Sequence, residues 1–181
     1  MPPPPELVTA RLRLRPLVSD DAEFIVALLN DPDFIRFVGD REVHDREGAI
    51  RYLRQGPWAS YEAHGYGPWA VERREGGEPL GICGLWRRDD LDAPDLGYAF
   101  LPAGRGRGFA REAAAATLAW ARDTLGLSRV LAITGDDHLR SQQVLEAIGM
   151  VFDGHVRLAG EDIELRVYAW QALTRRDRPP P

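Results

Sequence analysis

A mixed α/β domain built on one sheet is the fold class this sequence predicts, and three observations predict it. Segments that alternate with period two intermingle with segments of helical spacing. Their order, β–α–α–β–β–β–α–β–α–β–β, lacks the strict alternation that builds a fully parallel sheet. The chain has 181 residues, 44% hydrophobic and 28% charged, which suits one domain with a packed core.

The prolines Pro2 to Pro5 cannot pack as regular structure, so residues 1–6 read as a disordered tail. "RLRLRPL", from Arg11, alternates leucine and arginine and reads as a strand ending at Pro16. "SDDAEFIVALLND" follows as a helix, with Ser19 as N-cap and acids in the first turn. A second helix is expected from about Arg46 to Ala63, interrupted at Pro57. "GPWAVERR" and "PLGICGLWRR" read as strands, and the glycines of "EGGEP" make the hairpin turn between them. "PDLGYAFLP" is a strand closed by Pro102. A helix from about Gly108 to Leu125 buries Ala114, Leu118, Ala121 and Leu125, and Gly126 stops it. "SRVLAITG" is a strand, and "HLRSQQVLEAIG" is a helix capped by Asp137 and ended by Gly149. "MVFDGHVRL" and "EDIELRVYAWQ" complete the chain as an antiparallel pair. One domain over residues 7–171 results, with a second disordered tail over 172–181.

Bulk charge excludes some partners. A net charge of −5 offers no general attraction to nucleic acid or anionic membrane. All 23 basic residues are arginine, so the protein has no lysine of its own to modify. Cys83, the single cysteine, lies in the apolar run "LGICGLW" and reads as a buried structural thiol. His44, His64, His138 and His155 show no metal-ligand spacing, so no metal is expected. No signal peptide or membrane-length apolar run is visible, and the cytoplasm is the expected compartment. A monomer or a homodimer is expected.

One stretch is locally costly. In "LPAGRGRGFAREAAAATLAWA", from Leu101, glycines 104, 106 and 108 are poor helix formers. Arginines at a helix start face the wrong end of its dipole. A bound anion compensates both. A strand-to-helix turn points its free N–H groups at such a ligand, and glycine lets the ligand approach. No proline lies between Ala103 and Ala110, so every amide there can donate. Arg105, Arg107 and Arg111 would then have a charge to neutralise. A Walker A loop is excluded by the missing lysine, and a Rossmann fingerprint by Arg111. An RNA-binding arginine–glycine tract would be longer and more basic. The remaining alternative is an ordinary loop with solvated arginines.

The stretch "RGRGFA" also resembles the acetyl-CoA signature of the GNAT N-acetyltransferases, Gln/Arg-x-x-Gly-x-Gly/Ala, with Arg105, Gly108 and Ala110 at its fixed positions. "LVTARLRLRPLVSDDAEFI", "LGYAFLP" and "DDHLRSQQVLEAIGM" are similar to blocks of the RimJ/RimL-like branch, which acetylates ribosomal-protein N-termini. The resemblance runs from about Leu7 to Gln171. It implies a mostly antiparallel twisted sheet with two splayed central strands, around Leu96–Leu101 and Arg129–Thr134, and about four flanking helices. Acetyl-CoA is the cofactor it implies. The pantetheine arm would pair with the backbone near Phe100 and Leu101. The pyrophosphate would rest on Gly106, Arg107, Gly108, Phe109 and Ala110, with Arg105, Arg107 and Arg140 as neighbours. Two departures are His138, where the branch has Asn, and Met150, where it has Phe. His138 either touches the cofactor or is a solvated helix-start residue.

The family implies direct attack by a neutral amine, with strand amides as oxyanion donors. Many relatives protonate the leaving thiolate with a tyrosine. Leu145 stands at that position; Ser141 matches the branch's serine, and the resemblance implies that it orients or protonates the sulfur or faces the cofactor without chemistry. Asp95, at a strand start where the branch often carries Glu, is a candidate base acting through a water or an ordinary strand-edge or turn aspartate, and His138 is the second candidate base. An α-amine titrates near 8 and is about one-tenth neutral at pH 7, whereas a lysine amine is about 0.04% neutral. The lack of an obvious base therefore favours α-amines or other low-pKa amines. Trp58, Tyr61, Tyr66 and Trp69, with Asp33, Asp40, Glu42 and Asp45, either line a groove for a cationic amine or are core aromatics and solvated acids. The expected function is acetyl transfer to a primary amine, a peptide N-terminus first. The alternatives are a small-molecule amine such as an aminoglycoside or polyamine, and a catalytically silent CoA-binding module.

Overall fold

Apolar residues at alternate positions give eight strands: β1 (Leu7–Val8), β2 (Leu12–Pro16), β3 (Pro68–Arg73), β4 (Pro79–Trp86), β5 (Asp95–Phe100), β6 (Arg129–Thr134), β7 (Val151–Arg157) and β8 (Glu164–Gln171). A computed structural model describes residues 1–159 and 162–172 of the chain. The strands form one sheet in the order β1-β2-β3-β4-β5-β6-β8-β7. Every neighbouring pair is antiparallel except β5 and β6. The last strand thus inserts between β6 and β7.

The helices are α1 (Ala22–Leu29), α2 (Pro32–Val38), α3 (Arg46–Leu53), α4 (Ala59–His64), α5 (Phe109–Asp123) and α6 (Leu139–Ala147). Pro57 sits in a π turn, Arg54–Trp58, that joins α3 to α4, so the expected interruption is a widened turn within one run. Counting that run once gives five helices, one more than expected. The extra helix is α2. Asp31 caps it, accepting from the Asp33 and Phe34 amides, and Pro32 occupies its first turn.

Two expected caps move by one or two residues. Ser19 is not a cap; the Asp21 carboxylate accepts the Val18 N–H at 2.8 Å, and its other contacts go to Arg15. At α6 the cap is His138 rather than Asp137, because the imidazole reaches the Ser141 amide at 3.1 Å. Residues 1–6, expected as a loose tail, lie against the domain. Pro4 is buried, the Pro5 carbonyl accepts from the Trp69 indole at 2.9 Å, and the terminal ammonium donates to the Glu62 carbonyl at 2.7 Å. Residues 173–181, nearly all of the other expected tail, lie outside the described residues.

Strand alternation sends β5 side chains to two cores. Leu96, Tyr98 and Phe100 pack with Phe109, Ala113, Leu118 and Leu145 of α5 and α6. Ala99 and Leu101 pack on the other face with Ile25, Phe34 and Leu53 of α1, α2 and α3. Cys83 is fully buried in the first core, 3.5 Å from the Thr117 hydroxyl. Burial pushes its thiol up to about 12, so it stays protonated and structural.

The expected splay is present between β5 and β6. They meet at one position, Asp95 opposite Leu131, where the Leu131 amide donates to Pro94 at 2.9 Å. No further pair joins them. A backbone-lined gap opens from there toward the end of β5.

Candidate active site

After Phe100 the chain makes a short 3-10 turn at Pro102–Gly104, then passes through Gly106 and Gly108 into α5. Both glycines hold left-handed φ, +70° and +77°. An L side chain there costs about 1–2 kcal/mol, which explains glycine at these points. The result is a row of idle donors. Among the described residues, none of the amides from Gly106 to Arg111 donates to a protein acceptor. The first helical donor is Glu112, bonded to the Gly108 carbonyl at 3.0 Å.

The corner is braced from outside. Arg11 donates to the Arg107 carbonyl at 2.9 Å and to Glu112 at 2.7 Å, and its guanidinium lies 4.6 Å over the Phe109 ring. Thr9 donates to the same Glu112 carboxylate at 2.6 Å. The amides are therefore held in place before any ligand arrives.

A cavity of about 460 Å³ lies between this corner and the splay. Tyr98, Ala99 and Phe100 of β5 form one wall, and Ser141, Val144 and Ala147 of α6 another. Phe34, Phe37 and Val38 of α2 close it from the opposite sheet face. Lining residues come from both layers, so the cavity passes through the sheet where β5 and β6 part.

The expected cofactor residues Phe100, Arg105, Gly106, Gly108, Phe109, Ala110, His138 and Ser141 all line this cavity. Leu101 and Arg107 do not. Leu101 turns the other way by strand parity: its amide donates to Leu80 at 2.8 Å and its carbonyl accepts from Gly104 at 2.9 Å. Backbone groups of the preceding odd positions face β4 in the same way, so Phe100 and Tyr98 are the strand residues whose N–H and C=O face the gap. Arg107 contributes its backbone to the corner, and its carbonyl is held by Arg11.

Asp95, expected as a base, does not reach the cavity either. It begins β5 at the end opposite the glycine corner and is only 1% exposed. Its Oδ2 pairs with Arg88 at 3.1 Å, while its Oδ1 is buried without a partner. Burial raises its pKa, against the opposing pull of Arg88.

His138 lines the cavity but has no free lone pair. Its Nδ1 accepts the Ser141 N–H, so the neutral ring carries its proton on Nε2 and can only donate there. Its centroid lies 3.8 Å from that of Phe37. Burial lowers its pKa first, with Arg140 adding to the shift. A lowered histidine pKa stabilises the fold above the unfolded value of about 6.5, and the benefit is lost as pH falls toward the folded value. The imidazole's share of the helix cap, at most about 1 kcal/mol, is lost with it, while the Ser141 N–H keeps the His138 carbonyl at 3.0 Å. His138→Asn is expected to keep the cap and remove this share of the acid sensitivity. Denaturant unfolding of both proteins at about pH 7.5 and about pH 5.5 checks it, and an identical loss in both contradicts it.

The sequence did not single out Tyr98. Its hydroxyl lies 3.0 Å from the Ser141 hydroxyl and 3.1 Å from the Ser141 carbonyl, joining β5 to α6 across the cavity. Burial pushes its phenol well above the usual value, against the smaller effect of the Ser141 hydrogen bond. It therefore stays protonated and can donate.

The residues expected around an acceptor groove have other tasks. Tyr61, Tyr66 and Trp69 are buried, and the Trp58 indole donates to the Leu17 carbonyl at 2.8 Å. Tyr61 donates to the Pro68 carbonyl, Asp45 caps α3, and Asp40 accepts the Glu42 amide at 2.8 Å. Asp33 alone of the acids reaches the cavity. It is paired with Arg140 at 3.0 Å and Arg105 at 3.3 Å. Among the described residues no helix is long and apolar enough to cross a membrane.

Known proteins share this fold. The chain is 29% identical over 154 residues to the uncharacterized N-acetyltransferase YoaA of Bacillus subtilis, covering 84% of this chain and 86% of that protein. An acetyltransferase structure from Agrobacterium tumefaciens superposes with a TM-score of 0.80 at 28% identity, over 93% of this chain and 95% of that one. Two more distant structures share the fold. RimL, a ribosomal L7/L12 alpha-N-protein acetyltransferase in complex with coenzyme A, has a TM-score of 0.77 at 16% identity, over 91% and 96% of the two chains. The spermidine N-acetyltransferase of Vibrio cholerae, with CoA and spermine, has 0.74 at 17%, over 90% and 96%. The model of the acetyltransferase (GNAT) domain matches residues 11–151, the span that holds the idle amides, the splay and α6. On that match the chain belongs to the GNAT acetyltransferases, enzymes that draw their acetyl group from acetyl-CoA.

Proposed function

We propose that this enzyme acetylates a low-pKa primary amine, with the α-amine of a peptide or protein N-terminus as its acceptor, in the manner of the RimJ/RimL-like branch. One observation carries this reading. Among the described residues one carboxylate, Asp33, lines the cavity, and it stands at the mouth beside Arg105 and Arg140, on the side of the phosphate amides. Asp95 lies elsewhere, and His138 has no lone pair to offer. A site without a free base suits an amine that is already partly neutral, as an α-amine is.

The residues present fit the cofactor. Idle amides at a helix start suit a diphosphate, and a cavity of about 460 Å³ is of the size that small ligands occupy. When bound, acetyl-CoA supplies a reactive thioester and a thiolate leaving group. The amides of Gly106 to Ala110 hold phosphate oxygens, with the α5 dipole adding about 0.3–1 kcal/mol. The Phe100 and Tyr98 backbones would orient the pantetheine amides along β5. The Ser141 hydroxyl, 3.0 Å from the Tyr98 hydroxyl, would donate a hydrogen bond toward the sulfur.

The relatives of this fold named above include one that acts on a protein α-amine and one crystallised with spermine, so the fold does not choose between acceptor classes. An acceptor panel chooses: N-terminal peptides, polyamines and aminoglycosides with acetyl-CoA, read by free-thiol release. Release with peptides near neutral pH is expected. Release with polyamines or aminoglycosides alone assigns the small-molecule reading. CoA binding with no release under any acceptor assigns a silent CoA-binding module.

A further inference from the structure

Helix α2 is tied by charge to both sides of the cavity mouth. Asp31 and Asp33 pair with Arg105 of the glycine turn, the latter at 3.3 Å. Asp33 also pairs with Arg140 at the start of α6, at 3.0 Å. On the same helix Arg36 pairs with Asp137 at 3.1 Å. Asp31 and Asp33 thus match Arg105 and Arg140, while Arg111, which also lines the cavity, has no carboxylate partner among the described residues. Paired in this way, Arg105 and Arg140 pull less on a polyanion than they do unpaired. Their full pull returns once they turn from carboxylate to phosphate, whose oxygens accept from guanidinium as carboxylate oxygens do.

Such an exchange leaves Asp31, whose side chain is 6% exposed, on two backbone amides, and leaves Asp33 in water. Asp31 keeps the Asp33 and Phe34 amides, at 3.1 and 3.3 Å. The Asp33 side chain is 36% exposed and is solvated by water when its partners leave.

We propose that Asp31 and Asp33 stand in for the cofactor's phosphates, and that Arg105 and Arg140 change partners when acetyl-CoA binds, untying α2 from the mouth. The inference rests on the acetyl-CoA site described above. The competing arrangement keeps both sets of contacts, with the acids holding the arginines ready. The two differ in the sign of one measurement.

Asp33→Asn leaves the helix cap on Asp31 and can be titrated with CoA by calorimetry. Internal competition predicts roughly threefold to tenfold tighter binding than wild type, the worth of one or two partly exposed ion pairs. Asp33→Glu is expected to restore wild-type affinity. Without CoA, Asp33→Asn is expected to melt below wild type, and at saturating CoA the two are expected to melt together. Equal or weaker CoA binding by Asp33→Asn overturns the proposal. Wild-type protein that fails to bind CoA sinks the cofactor site along with it, whereas wild-type binding without a gain in the variant sinks this proposal alone.

Discussion

Gly108→Pro is expected to lower CoA affinity at least about a hundredfold, the worth of one or two hydrogen bonds to a charged group. Two effects combine. Proline removes the Gly108 donor, and its fixed φ near −65° is incompatible with the +77° that turns the chain into α5. The neighbouring amides lose their convergence as well. Calorimetry with CoA measures the loss, and a retained thermal transition shows that the sheet still folds. Gly108→Ala separates donor from conformation. It keeps the N–H, and its Cβ would meet only the flexible end of Arg11, at 3.4 Å. Strain of about 1–2 kcal/mol is expected in stability, with a smaller loss in affinity. Unchanged affinity in Gly108→Pro would contradict an amide-based phosphate site.

Ser141→Ala is the second large effect. Turnover is expected to fall roughly tenfold to a hundredfold, the value of one hydrogen bond to a developing charge. CoA affinity is expected to stay within about threefold, because the phosphate amides lie elsewhere and the interaction matters most as charge develops on sulfur. Tyr98→Phe tests the support of that serine. It deletes only the hydroxyl that lies 3.0 Å from the Ser141 hydroxyl, and turnover is expected to fall in the same direction by less. The double variant is expected to match Ser141→Ala, since the two hydroxyls act as one unit. Full activity in Ser141→Ala would remove the serine from the chemistry. An additive double variant would separate the two residues.

The parts legible in the sequence were those with local causes. Glycines at positive φ, an absent proline and a strand-to-helix junction announce the corner around Gly106 and Gly108 without long-range information. The splay was legible only through the resemblance, because a gap between two strands leaves no residue pattern. Helix α2 has seven residues, too short for its apolar spacing to show, although Asp31 and Pro32 spell a cap and a first turn. Strand parity decided between Phe100 and Leu101, and no composition cue fixes which edge of β5 is free. Tyr98 was hidden for a similar reason, since a tyrosine alternating in a strand reads as core. The partners of Arg105 lie 74 positions away for Asp31, so the sequence showed its charge but not its neutralisation. Asp95 read as a base because the resembling branch often carries Glu at that strand start, and only burial beside Arg88 shows it outside the cavity.

Backbone hydrogens at the entrance to α5 are expected to grip the diphosphate of the cofactor. A crystal structure with bound CoA tests it most directly. The prediction is pyrophosphate oxygens about 2.7–3.2 Å from several of the amide nitrogens between Gly106 and Ala110. CoA bound with its pyrophosphate away from that corner, and those amides facing solvent, would contradict it.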